Sequence, residues 1–209
     1  MTYKTEQESF WAGDFGDGYI SRNKTDLLLS SNIKFFANAF SRLKSVESTL
    51  EFGANIGMNL RALSTLFPSL SCSGIEINPT AAMELRDILG ADKVFEQSIL
   101  DFDSEVRWDL TFTKGVLIHI NPDLLPAVYD KLYYHSSRYV LIAEYYNPTP
   151  VALPYRGHAE RLFKRDFAGE MLDRFPDLSL VDYGFLYHRD RNFPQDDITW
   201  FMLEKNASC

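Results

Sequence analysis

The stretch Leu50-Glu51-Phe52-Gly53-Ala54-Asn55-Ile56-Gly57 joins an apolar run to a segment with helical periodicity. The apolar run, residues 46–52, predicts a strand, and residues 58–67 predict a helix. Gly53 permits a tight turn at this junction, and Gly57 permits close approach of the backbone to a ligand. A glycine-rich turn between a strand and a helix is typical of nucleotide-binding sites.

An acidic residue follows at the end of the next predicted strand, residues 72–77. Glu76 stands 19 residues after Gly57. A carboxylate at that position can accept hydrogen bonds from both hydroxyls of a ribose. The glycine turn and this glutamate together favour a nucleotide-type cofactor, the alternative being an ordinary turn followed by an exposed glutamate.

The rest of the chain alternates short apolar runs with helical segments, which predicts an α/β fold with a parallel sheet covered by helices on both faces. Two final runs, residues 178–188 and 198–204, have no helix between them and are expected to pair antiparallel. We expect a single domain over residues 1–209. Further strands are predicted at residues 94–97, 110–113 and 139–144, and further helices at 79–89, 122–134 and 166–175, with one of about 18 residues from Thr25.

Two segments interrupt this alternation. Residues 11–19 contain three glycines and two aspartates, which predicts an irregular loop carrying aromatic side chains. This loop lies within residues 1–24, which we interpret as an N-terminal lid or arm. Three prolines, at positions 148, 150 and 154, predict an insertion or long loop over residues 147–165. That insertion follows the fifth strand and is expected near the acceptor site.

The composition narrows the class of partner. A formal net charge of −8 and a pI near 5.0 disfavour nucleic acid and favour a small-molecule substrate. Cys72 and Cys209 follow no zinc or redox spacing, and no cluster of side chains has metal-ligand spacing, so no metal is expected. No apolar run approaches the roughly 18 residues of a membrane span. We expect a cytoplasmic protein without membrane contact, of undetermined oligomeric state.

The pattern Glu51-x-Gly53-x-Asn55-x-Gly57 resembles the acidic-glycine motif of class I S-adenosylmethionine-dependent methyltransferases. Residues 74–78 resemble the ribose-binding strand end of that family, residues 97–101 its adenine-side loop and residues 108–112 its fourth strand. Asn55 departs from the family pattern, which usually has glycine there. The resemblance implies a Rossmann-like sheet, mostly parallel with an antiparallel C-terminal strand, and S-adenosylmethionine as cofactor. The cofactor-binding residues that we expect are Glu51, Gly53, Asn55, Gly57, Glu76, Ile77, Ser98, Ile99 and Lys114.

A narrower resemblance is to small methyltransferases associated with pseudaminic acid biosynthesis. It rests on Trp11-x-Gly-x-Phe15-Gly16-Asp17-x-Tyr19-x-x-Arg22-Asn23 and on residues 154–158. This resemblance implies a sugar-related acceptor, either an amino sugar or its nucleotide-linked form. N-methylation and O-methylation both stay open.

Three side chains are candidates for catalysis. His158 lies in the proline-bounded insertion, at the sheet edge where such folds bind ligands, and can take a proton from an amine. A solvated loop histidine is the alternative. His119 follows the fourth strand, where packing among apolar residues is slightly favoured over a pocket role. Tyr19 belongs to the N-terminal segment, which is expected to close over the ligands, with a static arm as the alternative.

Acceptor-binding residues are expected in the N-terminal segment and after the fifth strand. The aromatic residues can cover apolar parts of the ligands, and core packing is the alternative for Tyr145 and Tyr146. The sequence therefore predicts a methyltransferase acting on a small polar acceptor. Two alternatives are a catalytically silent scaffold with the same fold and, less favoured, a nicotinamide-dependent oxidoreductase, whose G-x-G-x-x-G spacing is absent. The expected acceptor-binding residues are Trp11, Phe15, Tyr19, Arg22, Asn23, Tyr145, Tyr146, Asn147, Tyr155 and Arg156.

Overall fold

The computed structural model describes residues 3–20, 24–155 and 158–206, except for the side chains of residues 158–161. The strands are β1 (Ser48–Phe52), β2 (Ser71–Glu76), β3 (Val94–Glu96), β4 (Trp108–Lys114), β5 (Ser136–Glu144), β6 (Val151–Tyr155), β7 (His158–Lys164), β8 (Leu178–Phe185) and β9 (Thr199–Lys205). The α-helices are α1 (Glu6–Ala12), α2 (Asp14–Ile20), α3 (Asp26–Ala39), α4 (Met58–Leu66), α5 (Pro79–Leu89), α6 (Leu125–Tyr134) and α7 (Phe167–Arg174). Three short 3₁₀ helices span Ala91–Lys93, Leu117–His119 and Pro122–Leu124.

Seven of these strands form one sheet in the order β3-β2-β1-β4-β5-β9-β8. The pairs from β3 to β5 are parallel, whereas β9 is antiparallel to both β5 and β8. β9, the last strand in the sequence, is therefore the one reversed strand of a sheet that is otherwise parallel among the described residues. This arrangement confirms the predicted Rossmann-like fold.

The sheet separates two apolar cores. Along β5, Leu141 and Ala143 belong to the core formed with α3, α4 and α5. Val140 and Ile142 belong to the core formed with α6 and α7. Successive side chains of a strand point to opposite faces, so this central strand is buried on both. Helices cover both faces of the sheet, as predicted.

The N-terminal segment forms two short helices, so the prediction of an irregular loop over residues 11–19 is wrong. α1 begins at a capping box, in which the Thr5 hydroxyl accepts from the Glu8 N–H while the Glu8 carboxylate accepts from the Thr5 N–H. Gly16 in α2 packs tightly on the end of α1, because a Cβ added there would lie 1.9 Å from the Trp11 carbonyl oxygen. Gly16 therefore permits close packing between the two helices, whereas Gly13 ends α1.

The segment after β5, where the sequence predicts an insertion or long loop, forms a β-hairpin. β6 and β7 pair antiparallel in a separate two-stranded sheet. Pro154 lies at a register shift between Leu153 and Tyr155, where a missing N–H disturbs the pairing least. No helix among the described residues combines the length and apolar character that a membrane span requires.

Candidate active site

A cavity of about 550 Å³ lies at the carboxyl ends of β1, β2 and β4. Its walls also include the loops that follow β3 and β5, the two N-terminal helices and the loop between β8 and β9. The strand order reverses between β1 and β4, and ligands bind at such a switch point in open α/β sheets. The volume is typical of a small-molecule site.

The glycine-rich turn after β1 forms the floor of this cavity. Gly53, Asn55 and Gly57 all have left-handed backbone, with φ of 77°, 48° and 79°. A Cβ at Gly57 would lie 2.5 Å from Leu85 Cδ1, so glycine is required there for packing as well as for conformation. Asn55 is tolerated because asparagine adopts left-handed conformations more readily than most residues.

Glu76 ends β2 at the edge of the cavity. Its carboxylate accepts hydrogen bonds from the backbone N–H of Asn55 and from that of Asn78, each at 2.7 Å. Burial raises the pKa of Glu76, and these two hydrogen bonds oppose that rise. The backbone of the turn after β1 and the backbone that follows β2 thus hold the Glu76 carboxylate beside the glycine-rich turn.

A carboxyl group and an amino group lie deeper in the site. Glu51 in β1 is buried, and its Oε1 accepts a hydrogen bond of 2.6 Å from Asn59 Nδ2. Burial raises the pKa of Glu51 to about 8, an effect that Asn59 and Lys114 oppose. Lys114 at the end of β4 lines the cavity, and burial lowers the pKa of its ammonium to about 8 against the field of Glu51. No described residue accepts a hydrogen bond from this ammonium.

Several buried oxygens in the site have no hydrogen-bond partner among the described residues. Burying an acceptor without a donor costs about 1–3 kcal/mol, so each such group needs a partner that the described residues do not supply. A ligand group with several N–H or O–H donors matches this set. The oxygens are Asn32 Oδ1, Asn55 Oδ1, Asn59 Oδ1 and Gln195 Oε1, which belong to cavity-lining residues, and Glu51 Oε2.

Aromatic side chains form the opposite wall of the cavity. The His119 ring lies between those of Trp11 and Tyr155, with centroid distances of 4.7 and 4.8 Å. Trp11 also contacts Tyr19 edge to face at 5.4 Å. These contacts bring α1, α2, the turn after β4 and the β6–β7 hairpin together around one region of the cavity.

Glu144 at the end of β5 fixes the turn that carries His119. Its Oε1 accepts hydrogen bonds from the Thr113 hydroxyl at 2.9 Å and from the N–H groups of Val116 and Leu117 at 3.0 and 3.1 Å. Burial raises the pKa of Glu144 to about 7, and these hydrogen bonds oppose that rise. The backbone between β4 and the following 3₁₀ helix is therefore held by one buried carboxyl group.

The N-terminal helices contact the loop after β3 and the start of α5. Ser98, which follows β3, donates a hydrogen bond to Glu8 of α1. The side-chain amide of Asn78 donates to the Trp11 carbonyl at 3.2 Å and to Asp17 at 3.0 Å. The two helices therefore lie directly over the part of the cavity beside Glu76.

The structure brings most of the predicted site residues to the cavity wall. Glu51, Gly57 and Phe15 lie behind that wall, and Phe15 packs on Phe10 at 4.0 Å. Tyr146 and Asn147 lie outside the cavity, unlike the predicted arrangement, because Tyr146 points to the sheet face beside Phe201. The residues that do line it are Trp11, Tyr19, Gly53, Asn55, Glu76, Ile77, Ser98, Ile99, Lys114, His119, Tyr145 and Tyr155.

Some predicted residues cannot be compared with the structure. Arg22, Asn23 and Arg156 lie outside the described residues. His158 lies in β7 opposite Tyr155, and its side chain is not among those described. Their expected roles in acceptor binding and catalysis stay predictions.

Sequence reasoning missed several polar residues of the site, among them Asn59 of α4 and the five that follow. Glu8 has a local signal, since Thr5-x-x-Glu8 matches the spacing of a capping box. The other four are brought to the site only by the packing of distant elements, so their neighbours in sequence give no indication of it. They are Asn32 of α3, Glu144 of β5, and Gln195 and Asp196 of the loop between β8 and β9.

Comparisons with known proteins agree with this architecture. No protein-family model matches the sequence, and no curated protein sequence matches it. The 1,6-didemethyltoxoflavin-N1-methyltransferase of Burkholderia thailandensis has a TM-score of 0.68 at 14% identity, over 96% of this chain and 87% of its own. An S-adenosylmethionine-dependent methyltransferase of Leishmania major has a TM-score of 0.70 at 15% identity, over 95% and 81%. Magnesium protoporphyrin IX methyltransferase of Synechocystis has a TM-score of 0.67 at 12% identity, over 98% and 100%.

These similarities define the class of fold. The chain has the Rossmann-like fold found in S-adenosylmethionine-dependent methyltransferases, with the cavity at the strand ends. Sequence identities of 10–15% establish the fold and leave the chemistry to be argued from the site itself. Within the described part of the chain, no group of three or more histidine, cysteine or carboxylate side chains is arranged to hold a metal ion.

Proposed function

We propose that this chain is an S-adenosylmethionine-dependent methyltransferase that acts on a small polar acceptor. The observation that carries the proposal is the pairing of Glu76 with a left-handed turn at Gly53, Asn55 and Gly57, both at the edge of one cavity. The similar proteins from Burkholderia thailandensis and Synechocystis were crystallised with bound S-adenosylhomocysteine.

The unpartnered oxygens of the cavity fit the donors of this cofactor. The ribose has two hydroxyl donors for Glu76, and the methionine end has an ammonium with three N–H donors. Glu51 Oε2, Asn55 Oδ1 and Asn59 Oδ1 are acceptors for that ammonium. Lys114 supplies the positive charge for the carboxylate of the same methionine end. Ser98 and Ile99, which follow β3, lie on the adenine side in this assignment.

The chain's contribution to the reaction is positioning. When bound, the cofactor supplies an activated methyl group, whose transfer is an in-line displacement. The residues must therefore hold the acceptor on the displacement axis and exclude water, which accounts for large rate gains without covalent help. Trp11, Tyr19 and Tyr155 surround the region in which the acceptor would lie, and His119 is placed between two of them to exchange a proton.

The finer parts of the proposal rest on sequence. The Trp11-to-Asn23 pattern supports an amino sugar or nucleotide-linked sugar as acceptor, and places residues 1–24 as a lid or arm over the ligands. A cytoplasmic location is supported by the buried free thiol of Cys72. The net charge of −8 supports the absence of a nucleic-acid partner.

Calorimetric titration with S-adenosylhomocysteine tests the proposal. The wild-type chain is expected to bind it, and Glu76→Gln is expected to weaken binding at least about tenfold, because it removes charge-assisted hydrogen bonds to the ribose. Glu96→Gln is the matched control, since Glu96 ends β3 directly opposite Glu76 but does not line the cavity. The control should bind like the wild type.

A second titration, with NAD, tests whether the chain is instead a nicotinamide-dependent oxidoreductase. No binding of S-adenosylhomocysteine by the wild type at millimolar concentration, or preferential binding of NAD, would refute the proposal. Binding of S-adenosylhomocysteine without methyl transfer to any acceptor would instead favour the silent scaffold.

A further inference from the structure

The wall of the cavity contains a carboxylate whose role is unassigned. Asp196 lies in the loop between β8 and β9 and lines the cavity. Its Oδ2 accepts a hydrogen bond of 2.8 Å from the hydroxyl of Tyr145. This loop is fixed from the other side, because the amide of Gln195 donates to the Ser31 carbonyl at 2.8 Å in the buried interior. Asp196 is thus held in place while its carboxylate stays accessible.

Among the described residues three carboxylates line the cavity, and they differ in what already binds them. Glu8 accepts hydrogen bonds from Ser98 and from the backbone at the start of α1. Glu76 accepts two backbone N–H groups and is assigned to the ribose. Asp196 accepts one hydrogen bond, from Tyr145, and its Oδ1 has no hydrogen bond among the described residues. An oxygen of the Asp196 carboxylate therefore remains available to a ligand in the cavity.

Three of the described tyrosines line the cavity, and one of them, Tyr145, binds this carboxylate. Tyr145 lies within electrostatic reach of Tyr19 and Tyr155, and all three line the cavity. Burial and the charge of Asp196 raise the pKa of Tyr145, so its hydroxyl stays a neutral hydrogen-bond donor. Aromatic faces and a carboxylate together form the environment that binds an organic cation, through cation–π attraction and a charge-assisted hydrogen bond.

Two lysines among the described residues lie near Asp196 or Tyr145. Lys114 lines the cavity, and Glu51 contributes more than Asp196 to the field that acts on it. In the proposed function Lys114 binds the cofactor carboxylate. Lys164 lies over the Tyr145 ring, 5.2 Å from its centroid, and does not line the cavity.

We propose that the acceptor is a primary or secondary amine, which Asp196 binds as an ammonium between Tyr19, Tyr145 and Tyr155. The inference rests on the proposed function and adds the class of acceptor atom. A hydroxyl acceptor carries no positive charge for Asp196 to pair with, whereas an ammonium forms a charge-assisted hydrogen bond with it. An amine needs only to lose one proton to solvent, at the accessible edge where Asp196 lies.

The proton and electron balance of the step is simple. The bound ammonium releases one proton to water beside Asp196, which leaves a neutral nitrogen with a lone pair. That lone pair forms the bond to the methyl carbon, and the electron pair of the broken C–S bond stays on sulfur. The product amine again carries a positive charge, so Asp196 can pair with it before release.

Ligand-observed NMR on the chain saturated with S-adenosylhomocysteine tests the inference at pH 7. The probes are three matched pairs that differ in one group: glucosamine and glucose, cyclohexylamine and cyclohexanol, benzylamine and benzyl alcohol. At least one amine is expected to bind about tenfold more tightly than its alcohol. Asp196→Asn should abolish that preference.

Asp197→Asn is the matched control, because it removes the same charge from the neighbouring residue, whose carboxylate pairs with His188. This variant should retain the preference for the amine. The inference is overturned if no pair favours the amine, or if Asp196→Asn keeps the preference. Failure of S-adenosylhomocysteine to saturate the chain would instead count against the proposed function, so the two failures are distinct.

Discussion

Individual residues of the site differ in how far the sequence alone reveals them. Gly53, Gly57 and Glu76 were predictable because their roles depend on local backbone conformation and on their position at a strand end. Asn32 and Asp196 were not, because α3 and the loop after β8 meet the cavity only through tertiary packing. The sequence thus predicts the residues of the cofactor site better than those assigned to the acceptor.

Lys114 provides a test at the scale of one residue. Its ammonium lines the cavity without a hydrogen-bond acceptor among the described residues, and we assign it to the carboxylate of the cofactor. Lys114→Met is expected to weaken binding of S-adenosylhomocysteine by about 1.5–3 kcal/mol, the usual contribution of a charged hydrogen bond. Binding of 5′-methylthioadenosine, which lacks the amino-acid end, should be unchanged. Calorimetry with both ligands measures the difference.

The pH dependence of S-adenosylhomocysteine binding is a second test of the role of Lys114. Its lowered pKa of about 8 means that the charge is present below pH 8 and is lost above it. Affinity for S-adenosylhomocysteine should therefore fall more steeply above pH 8 in the wild type than in Lys114→Met. Lys93→Met is the control, because Lys93 donates to Ser71 at 2.9 Å and does not line the cavity. If Lys114→Met weakens the binding of S-adenosylhomocysteine and of 5′-methylthioadenosine equally, Lys114 has only a structural role.

At the scale of elements, the alternation of strands and helices was predictable, and the N-terminal segment was not. The predicted bounds of α5, residues 79–89, match the structure because proline marks its start and glycine follows its end. Residues 11–19 were misjudged because glycine lowers helix propensity, whereas packing between α1 and α2 stabilises the helices in the folded chain. Propensity is a weak guide wherever tertiary contacts dominate.

Gly16 tests whether the packing of α1 and α2 serves the cofactor site. A Cβ at Gly16 would lie 1.9 Å from the Trp11 carbonyl oxygen and 2.8 Å from Asn78 Nδ2. Gly16→Ala must therefore displace α1 and α2 from the start of α5, and we expect at least about a tenfold loss of affinity for S-adenosylhomocysteine. Isothermal calorimetry and the melting temperature of the unliganded chain measure the two effects separately.

Gly18→Ala is the control within the same helix, because a Cβ there would meet nothing within 4 Å. This variant should bind S-adenosylhomocysteine like the wild type and have slightly greater helix propensity. If both variants bind equally well, the N-terminal helices make no contribution to the cofactor site. If Gly16→Ala mainly lowers the melting temperature, the segment is a structural arm and the lid proposal is wrong.

At the scale of the whole molecule, the seven-stranded sheet lies between the two apolar cores, and the site lies at one edge of it. The predicted topology was correct because a chain that alternates strands and helices has few ways to form a parallel sheet. The shape of the cavity was not predictable, since it depends on the loops after six strands, which meet at one edge of the sheet. Folding and cofactor binding should therefore be thermodynamically linked across the entire domain.

Cys72 in β2 offers a measurement of that linkage. Its thiol is buried in the core on the side of α3, α4 and α5, and burial raises its pKa to about 11. A thiol reagent should therefore label Cys72 only through unfolding of the sheet, in a Cys209→Ser background that leaves one thiol. S-adenosylhomocysteine at 100 times its dissociation constant adds about 2.7 kcal/mol to stability, which corresponds to roughly 100-fold slower labelling. The rate of reaction with the reagent is the readout.

The Glu76→Gln variant is the control for this experiment, because its weakened binding should remove most of the protection at the same ligand concentration. If S-adenosylhomocysteine leaves the labelling rate of the wild type unchanged, β2 opens locally while the site stays intact. That outcome would contradict the linkage, because β2 contains both Cys72 and Glu76 and pairs with β1 along its length from Ser71 to Ile75. A strand that supplies the ribose-binding carboxylate cannot open without disturbing the glycine turn, whose Gly53 and Ala54 N–H groups both donate to the Ile75 carbonyl at 2.9 Å.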